Sequence, residues 1–231
     1  MNTQFIGFPQ DLFDFLIDLK LNNNRQWFNK NKARYQQSIV KPMICFIEQM
    51  AEVLPSISQS FIADTRLNGG SMFRIYRDTR FSKNKAPYKQ NVGCQFRHIS
   101  SKDVHAPGYY LHLEAGNVFV GVGTWLPPTA TLFKIRSRIV EYPQEWQAVK
   151  TDKSLVDNFS KIEGDRLKLA PRGFSQDSVH INDLKLKSFV VTKTYQQNSA
   201  LSPEFFDSIV QDFKTASPLM VFLTKAIGVS F

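Results

Sequence analysis

Two strand-like runs joined by a short loop constrain the fold of this 231-residue chain more than any other feature. The run YYLHLE (109–114) is followed by the loop AGN and then by VFVGVGTW (118–125), with Gly116 inside the loop. Two β-rich runs on either side of a short glycine-containing loop are typical of a β-hairpin. The sequence therefore predicts an antiparallel sheet in the middle of the chain.

Three further segments have the residue pattern of strands. NVGCQFRHI (91–99) and LKSFVVTKTY (186–195) are rich in β-branched and aromatic residues. Residues 72–81 alternate between apolar and polar side chains, which predicts a third strand. In the predicted hairpin, Gly121 and Gly123 occupy alternate positions and leave one face without side chains. Such a gap admits a ligand or another backbone, although close packing against a helix is the simpler expectation.

Helical patterns lie on both sides of these strands. Apolar residues recur at helical spacing over 9–20, and Asn24 is a suitable N-cap for a second helix that Pro42 interrupts. Helical patterns return after Pro128, and a C-terminal helical region from Ser202 is split by Pro218.

These patterns together predict the fold class. We expect one α+β domain over residues 1–231, helical over 9–53, mainly β over 69–125, and mixed and helical over 129–231. The antiparallel sheet is flanked by N-terminal and C-terminal helices in this prediction.

The composition is that of a folded protein, since 42% of the residues are hydrophobic and 20 are phenylalanine. The first twenty residues lack the basic and apolar regions of a secretory signal, and no run is apolar enough to span a membrane. We therefore expect a cytoplasmic protein that does not enter membranes. Cys45 and Cys94 form no CxxC motif and are expected to be reduced.

The net charge of +9 is concentrated in two stretches. The first basic segment, residues 20–47, holds six Lys and Arg residues and no acid, for a charge of +6. The second basic segment, residues 73–89, holds six such residues and one acid, for a charge of +5, so the remaining chain carries −2. Local concentrations of positive charge indicate attraction for phosphate or carboxylate groups.

The second basic segment, FRIYRDTRFSKNKAPYK, is the candidate site. In a strand over 72–81, Arg74, Tyr76, Asp78 and Arg80 share one face, so Asp78 is expected to hydrogen bond the arginines on either side and to orient them. A carboxylate held in this way is a weak base near neutral pH. The predicted ligand-binding residues are Arg74, Arg77, Asp78, Arg80, Lys85 and Tyr88.

The same stretch carries a family resemblance. RIYRDTRFSKNKAPY (74–88) resembles the signature of an uncharacterised, mainly bacterial family known as domain of unknown function 2461, in which Arg, Arg-Asp, Arg-Phe, Asn-Lys and Tyr recur at fixed spacing. The matching residues are Arg74, Arg77, Asp78, Arg80, Phe81, Asn84, Lys85 and Tyr88. The resemblance extends to NNNRQWF, YYLHLEAGNVFVGVGTWLPP and LKLAPRGF and so covers most of the chain. It implies no particular activity.

Other known site motifs are missing from the sequence. There is no phosphate-binding GxxxxGK[ST] loop, no dinucleotide fingerprint and no zinc-spaced set of Cys and His. His112 and Glu114 share a strand face and are candidates for an acid–base or metal pair, but two residues do not make a metal site. We therefore predict no metal site, and the sequence names no cofactor.

Three functions fit these observations. The first is a basic cleft that binds a small phosphate-bearing or carboxylate-bearing ligand, with catalysis left open. The second is nucleic-acid binding, in which Trp27, Tyr35, Tyr76 or Tyr88 stacks on bases beside the cations of both basic segments. The third is an interaction protein without a ligand site, in which the charged row fixes a strand or meets an acidic partner.

Overall fold

The computed structural model describes residues 4–100, 106–162 and 164–231. Within these ranges it has one sheet of five antiparallel strands, arranged in the order in which they occur along the chain. The strands are β1 (Phe61–Ile62), β2 (Val92–His98), β3 (Gly108–Glu114), β4 (Asn117–Thr124) and β5 (Phe189–Tyr195).

Helices precede the sheet and follow it. Those before the sheet are α1 (Gln10–Leu21), α2 (Arg25–Lys30), α3 (Lys32–Tyr35) and α4 (Lys41–Val53). Those between β4 and β5 are α5 (Thr129–Glu141), α6 (Pro143–Lys150), α7 (Lys153–Asn158) and α8 (Ile181–Leu184). Those after the sheet are α9 (Glu204–Thr215) and α10 (Ser217–Ile227). The architecture is a single α+β domain, as predicted.

The predicted hairpin is confirmed. Strands β3 and β4 pair from Gly108 opposite Gly123 to Glu114 opposite Asn117. The two residues between them include Gly116, whose φ of +76° is a backbone conformation that favours glycine. The hairpin fixes the register of the central strands and therefore decides which side chains share a face of the sheet.

The prolines divide the helices as expected. Pro42 lies in the first turn of α4, directly after a π-helical stretch at Gln36–Val40. Pro218 lies in the first turn of α10, and α9 ends at Thr215, three residues before it. In α10 proline is tolerated because the backbone donor that it lacks has no helical acceptor in a first turn. Helix α4 instead continues from the π-helical stretch, in which the Lys41 N–H donates to the Gln36 oxygen.

One face of the sheet, the inner face, packs against helices. The apolar side chains of β4 on this face, Val118, Val120 and Val122, are buried. The ring of Tyr109 on β3 lies 4.6 Å from that of Phe213 on α9, measured between centroids. The helices pack on this face because it carries large apolar side chains, and burial of such side chains is the main favourable contribution to folding.

The opposite face, the outer face, is where Gly121 and Gly123 lie. Side chains of neighbouring strands, Phe73 and Trp125 surround an open cavity there, so the expectation that a helix packs against these glycines is wrong. The short glycine surface offers a helix little apolar area to bury, whereas the inner face offers a great deal. In the part of the chain that the structure describes, no helix combines the length and the apolar character needed to cross a membrane.

Candidate functional site

The second basic segment forms an irregular hairpin, which corrects the prediction of a regular strand over 72–81. Directly before the segment Met72 pairs with Cys94 of β2, and at its first residue the Phe73 N–H donates to the Gly93 oxygen at 2.9 Å. Farther along, the chain has passed the beginning of β2 at Val92 and pairs with itself, with Tyr76 opposite Tyr88. A strand needs a neighbour for its backbone groups, and beyond Tyr76 the described residues supply the returning arm of the same loop, where the Arg77 N–H donates to the Pro87 oxygen.

The side chain of Tyr88 anchors this loop to the N-terminal helices. Its ring is buried and stacks on Phe28, with 4.1 Å between the ring centroids. Its backbone exchanges two hydrogen bonds with the Asn23 side chain, each 3.0 Å long. Tyr88 therefore holds the loop against Asn23 and Phe28.

Asp78 pairs with Arg80 on the surface. The Arg80 Nε and Nη2 atoms donate to the carboxylate at 3.0 and 2.7 Å, and these bonds lower the pKa of Asp78 to about 2. The predicted row with Asp78 between two arginines does not form, because without a regular strand Arg74 points elsewhere. Arg74 borders a separate small cavity together with Lys32 of the first basic segment.

A cleft of about 460 Å³ opens beside Asp78. Its lining combines the second basic segment with β2 and β3, and the residues are Phe73, Arg77, Asp78, Lys89, Asn91, Gly93 and Tyr110. We call this space the basic cleft. Of the six predicted ligand-binding residues, it contains Arg77 and Asp78, whereas Arg74, Arg80, Lys85 and Tyr88 lie outside its lining.

The basic cleft contains a second cation, Lys89, which was not among the predicted ligand-binding residues. Its ammonium lies 5.4 Å from the centre of the Phe73 ring, and the residue is partly buried. Burial and the nearby Arg74 charge lower the pKa of Lys89. Among the described residues, neither Lys89 nor Arg77 forms an ion pair with an acid.

The Arg77 guanidinium has only long hydrogen bonds within the described chain. Its Nη1 donates to the backbone oxygen of Ala86 at 3.3 Å, and its Nη2 donates to the Ser82 hydroxyl at 3.5 Å. A guanidinium carries five N–H donors, so Arg77 retains donors for an acceptor in the cleft. Lys85 is held at the loop, where its ammonium donates to the Thr79 backbone oxygen at 3.0 Å.

A family model described as a conserved hypothetical protein, DUF2461, matches residues 11–222. The chain belongs to the DUF2461 family. Among curated proteins, no match is found.

In this DUF2461 chain the matched range contains all the strands described above and the whole second basic segment. The basic cleft therefore lies within the family domain.

A hydrogen-bonded series of side chains leads away from the cleft along β3. The Tyr110 hydroxyl lies 2.8 Å from Nδ1 of His112, and Nε2 of His112 lies 3.5 Å from a carboxylate oxygen of Glu114. Burial lowers the pKa of His112, which favours the neutral imidazole, and the Glu114 charge opposes this shift. The neutral imidazole is able to accept at Nδ1 from the Tyr110 hydroxyl, and burial raises the pKa of Tyr110, which keeps that hydroxyl protonated.

The His112 and Glu114 pair was visible in the sequence, but Tyr110 was not identified as its neighbour. The available signal was the two-residue spacing of these three residues, which places them on one face of a strand. In the described part of this DUF2461 chain, no group of three or more His, Cys, Asp or Glu residues is arranged to hold a metal ion.

The first basic segment has a different arrangement. Arg34 donates to Asp11 at 2.5 Å and to Asp18 at 2.7 Å, and both acids lie on α1. The pKa of Asp11 is lowered by this hydrogen bond from Arg34. Tyr35 is buried, and Trp27 packs against Phe15 with 5.5 Å between the ring centroids. Arg34, Trp27 and Tyr35 of this segment are therefore involved in internal contacts.

Proposed function

We propose that this protein binds a small anionic ligand, bearing phosphate or carboxylate, in the basic cleft. The observation that supports the proposal most directly is the pair Arg77 and Lys89 at one concave site. Its size lies within the range of small-molecule sites, which is about 300–1,000 Å³.

The charge balance of the cleft favours an anion. Asp78 is the acid in the lining, and its carboxylate is already bound by Arg80. The charges of Arg77 and Lys89 are therefore left to attract a ligand. Because Lys89 is partly buried and loses hydration, an anion beside it recovers interaction energy that water no longer supplies.

The assignment of ligand contacts differs from the residues proposed on sequence alone. Arg77 and Lys89 are proposed as the direct contacts, and Asp78 with Arg80 forms the rim. Asn91 adds an amide to the lining. Tyr88 is proposed to act by holding the loop, since its ring is stacked on Phe28.

The test is a titration with inorganic phosphate and with acetate at constant ionic strength, followed by calorimetry and by the melting temperature. An anion that binds only the folded state raises the melting temperature. We expect Lys89→Gln and Arg77→Gln each to weaken binding by about tenfold or more, because hydrogen bonds to charged groups contribute about 1.5–3 kcal/mol.

The matched control is Lys83→Gln. It removes the same charge from the same segment at an exposed position outside the cleft lining, and it should leave binding within about twofold of wild type. Equal losses for Lys83→Gln and Lys89→Gln would mean that general surface charge, and not the cleft, attracts the anion. No stabilisation by either anion would refute the proposal.

Nucleic-acid binding is the second candidate. Lys32 and Arg74 bring the two basic segments together at one small cavity, and the Tyr76 ring beside it is 59% exposed. A stacked base and neighbouring phosphates fit such a surface. Binding of a short single-stranded oligonucleotide that depends steeply on salt and is lost in Tyr76→Ala, but not in Lys89→Gln, would favour this candidate.

A further inference from the structure

A second cavity adjoins the basic cleft on the outer face of the sheet. It also measures about 460 Å³, and it shares Phe73 and Tyr110 with the basic cleft. The remaining lining comes from four strands and the end of the hairpin, and consists of Gln95, Gly108, Phe119, Gly121, Gly123, Trp125, Val190 and Thr192. We call this second cavity the apolar trough.

The floor of the apolar trough is made by glycines. The strand register sets Gly108 of β3 opposite Gly123 of β4, and Gly121 of β4 opposite Tyr110 and Thr192, so the missing side chains leave a depression across β3 and β4. Only part of this is required by the backbone. Gly123 has a φ of +131°, and a Cβ there would lie 2.0 Å from the Phe189 backbone oxygen.

Gly121 is different, because the fold does not require it. A Cβ at this position would meet only side-chain atoms of Val190, Tyr110 and Thr192, at 3.8–4.0 Å, which is ordinary contact. Glycine inside a strand costs stability relative to a residue with a side chain. The strand therefore keeps an open space at Gly121 that its own packing does not explain.

The junction between the two cavities is formed by Tyr110 and Phe73. The Tyr110 hydroxyl lies beside Gly93 in the basic cleft, whereas the edge of its ring lies beside Gly121 in the apolar trough. The Phe73 ring lies 6.0 Å from the Tyr110 ring and 5.4 Å from the Lys89 ammonium. The Phe73 ring thus adjoins both the Lys89 ammonium and the apolar trough, and Tyr110 lines both cavities.

We propose that the two cavities form one amphipathic site, whose ligand is an anion with an apolar tail. The anionic head lies at Arg77 and Lys89, and the tail lies over Gly121 against Phe119 and Val190. This inference rests on the proposed function, since the head group is held by the basic cleft. It adds the ligand class, a medium-chain or aromatic carboxylate or phosphate, and it names Gly121 as the residue that sets the length of tail accepted.

The test measures binding of straight-chain carboxylates from acetate to octanoate. Burial of each added methylene is expected to tighten binding by about fourfold until the trough is filled. Trp125 lines the trough and is 59% exposed, so its fluorescence should change with the long carboxylates. Trp125→Phe identifies that signal against Trp27 and Trp146.

Two variants separate head binding from tail binding. Gly121→Leu fills the trough and should weaken octanoate by about tenfold or more while acetate stays within about twofold of wild type. Lys89→Gln should weaken every member of the series by the same factor. If Gly121→Leu does not fold, Gly121→Ala replaces it, because a Cβ at this position has room. This variant should weaken octanoate binding by a smaller factor and again leave acetate binding unchanged.

The outcomes distinguish the two proposals. If acetate binds through Lys89 but longer chains bind no better, this inference fails and the proposed function stands. If no carboxylate binds, both fail. If Gly121→Leu changes the sedimentation coefficient and not the dependence on chain length, the trough is an interface between copies of the chain, which also overturns the inference.

Discussion

The two basic segments carry nearly the same charge, +6 and +5, but the fold uses them differently. In the first segment, Arg34 is bound by Asp11 and Asp18, which are 23 and 16 residues away along the chain. In the second segment, Asp78 is bound by Arg80, two residues away, and Arg77 and Lys89 face a cleft.

This difference shows that a count of charges within a segment does not identify an anion site. The first segment contains no acid, yet its central arginine is neutralised by another helix. The second contains one acid, and that acid is satisfied by an arginine outside the cleft lining. Positive charge is available to a ligand only where tertiary structure brings no acid to it.

The largest expected effect comes from separating the two segments at their contact. Tyr88→Ala removes a buried ring that stacks on Phe28, so we expect a loss of about 3–4 kcal/mol in the free energy of unfolding. Chemical denaturation measures it. Tyr88→Phe retains the ring and should cost less than about 1 kcal/mol. If Tyr88→Ala stays as stable as wild type, the loop is not anchored on the N-terminal helices.

A smaller effect is expected from breaking the ion pairs of each segment. Arg34→Gln should lower the free energy of unfolding by about 1–2 kcal/mol, because one partly buried guanidinium binds two carboxylates that join α1 to α3. Arg80→Gln removes a pair that is exposed to solvent and should leave stability unchanged. Equal effects of the two substitutions would contradict the contrast between the segments.

The stabilising effect of Arg34 has a pH dependence with a defined sign. The pKa of Asp11 is lower in the folded protein, chiefly because of the Arg34 hydrogen bond. Its contribution to stability is therefore present above about pH 4, the ordinary pKa of an aspartate, and is lost as the pH falls further. The difference in melting temperature between wild type and Arg34→Gln should shrink between pH 5 and about pH 2.

Periodicity in the sequence predicted most of the fold, because helices and hairpins are decided by nearby residues. The helix expected over 9–20 occurs at Gln10–Leu21, and the hairpin has its expected turn. The prediction of a strand over 72–81 was wrong. Alternation of apolar and polar residues indicates a segment that is able to pair, but it does not show that a partner strand lies beside that segment. Beyond Tyr76 the adjacent strand β2 had ended.

The site was less predictable than the fold. The sequence identified the second basic segment and the gap at Gly121, but it gave no reason to place them side by side. Lys89 and Tyr110 adjoin only because the loop returns along β2 and because β3 pairs in one particular register. Register depends on contacts between residues far apart in sequence, which local patterns do not report.

The smallest expected effect is on the pKa of Lys89. This pKa distinguishes a cation that has no carboxylate beside it among the described residues from a paired cation such as Arg34. Burial and, less strongly, the Arg74 charge lower the pKa of Lys89 in the folded protein. In a spectrum with labelled lysine side chains, Lys89 should titrate below the ordinary lysine pKa of about 10.4. Arg74→Gln should raise its midpoint, and Arg80→Gln should leave it in place.

The lowered pKa of Lys89 also determines how its contribution to the free energy of unfolding changes with pH. Just below the ordinary lysine pKa of about 10.4, the unfolded chain binds more protons than the folded chain. The free energy of unfolding of wild type should therefore rise relative to that of Lys89→Gln as the pH increases through this range. A bound phosphate reverses the shift, because an anion beside Lys89 favours the ammonium form. A Lys89 midpoint that phosphate leaves unchanged, while phosphate still raises the melting temperature, would mean that the anion binds elsewhere on the surface.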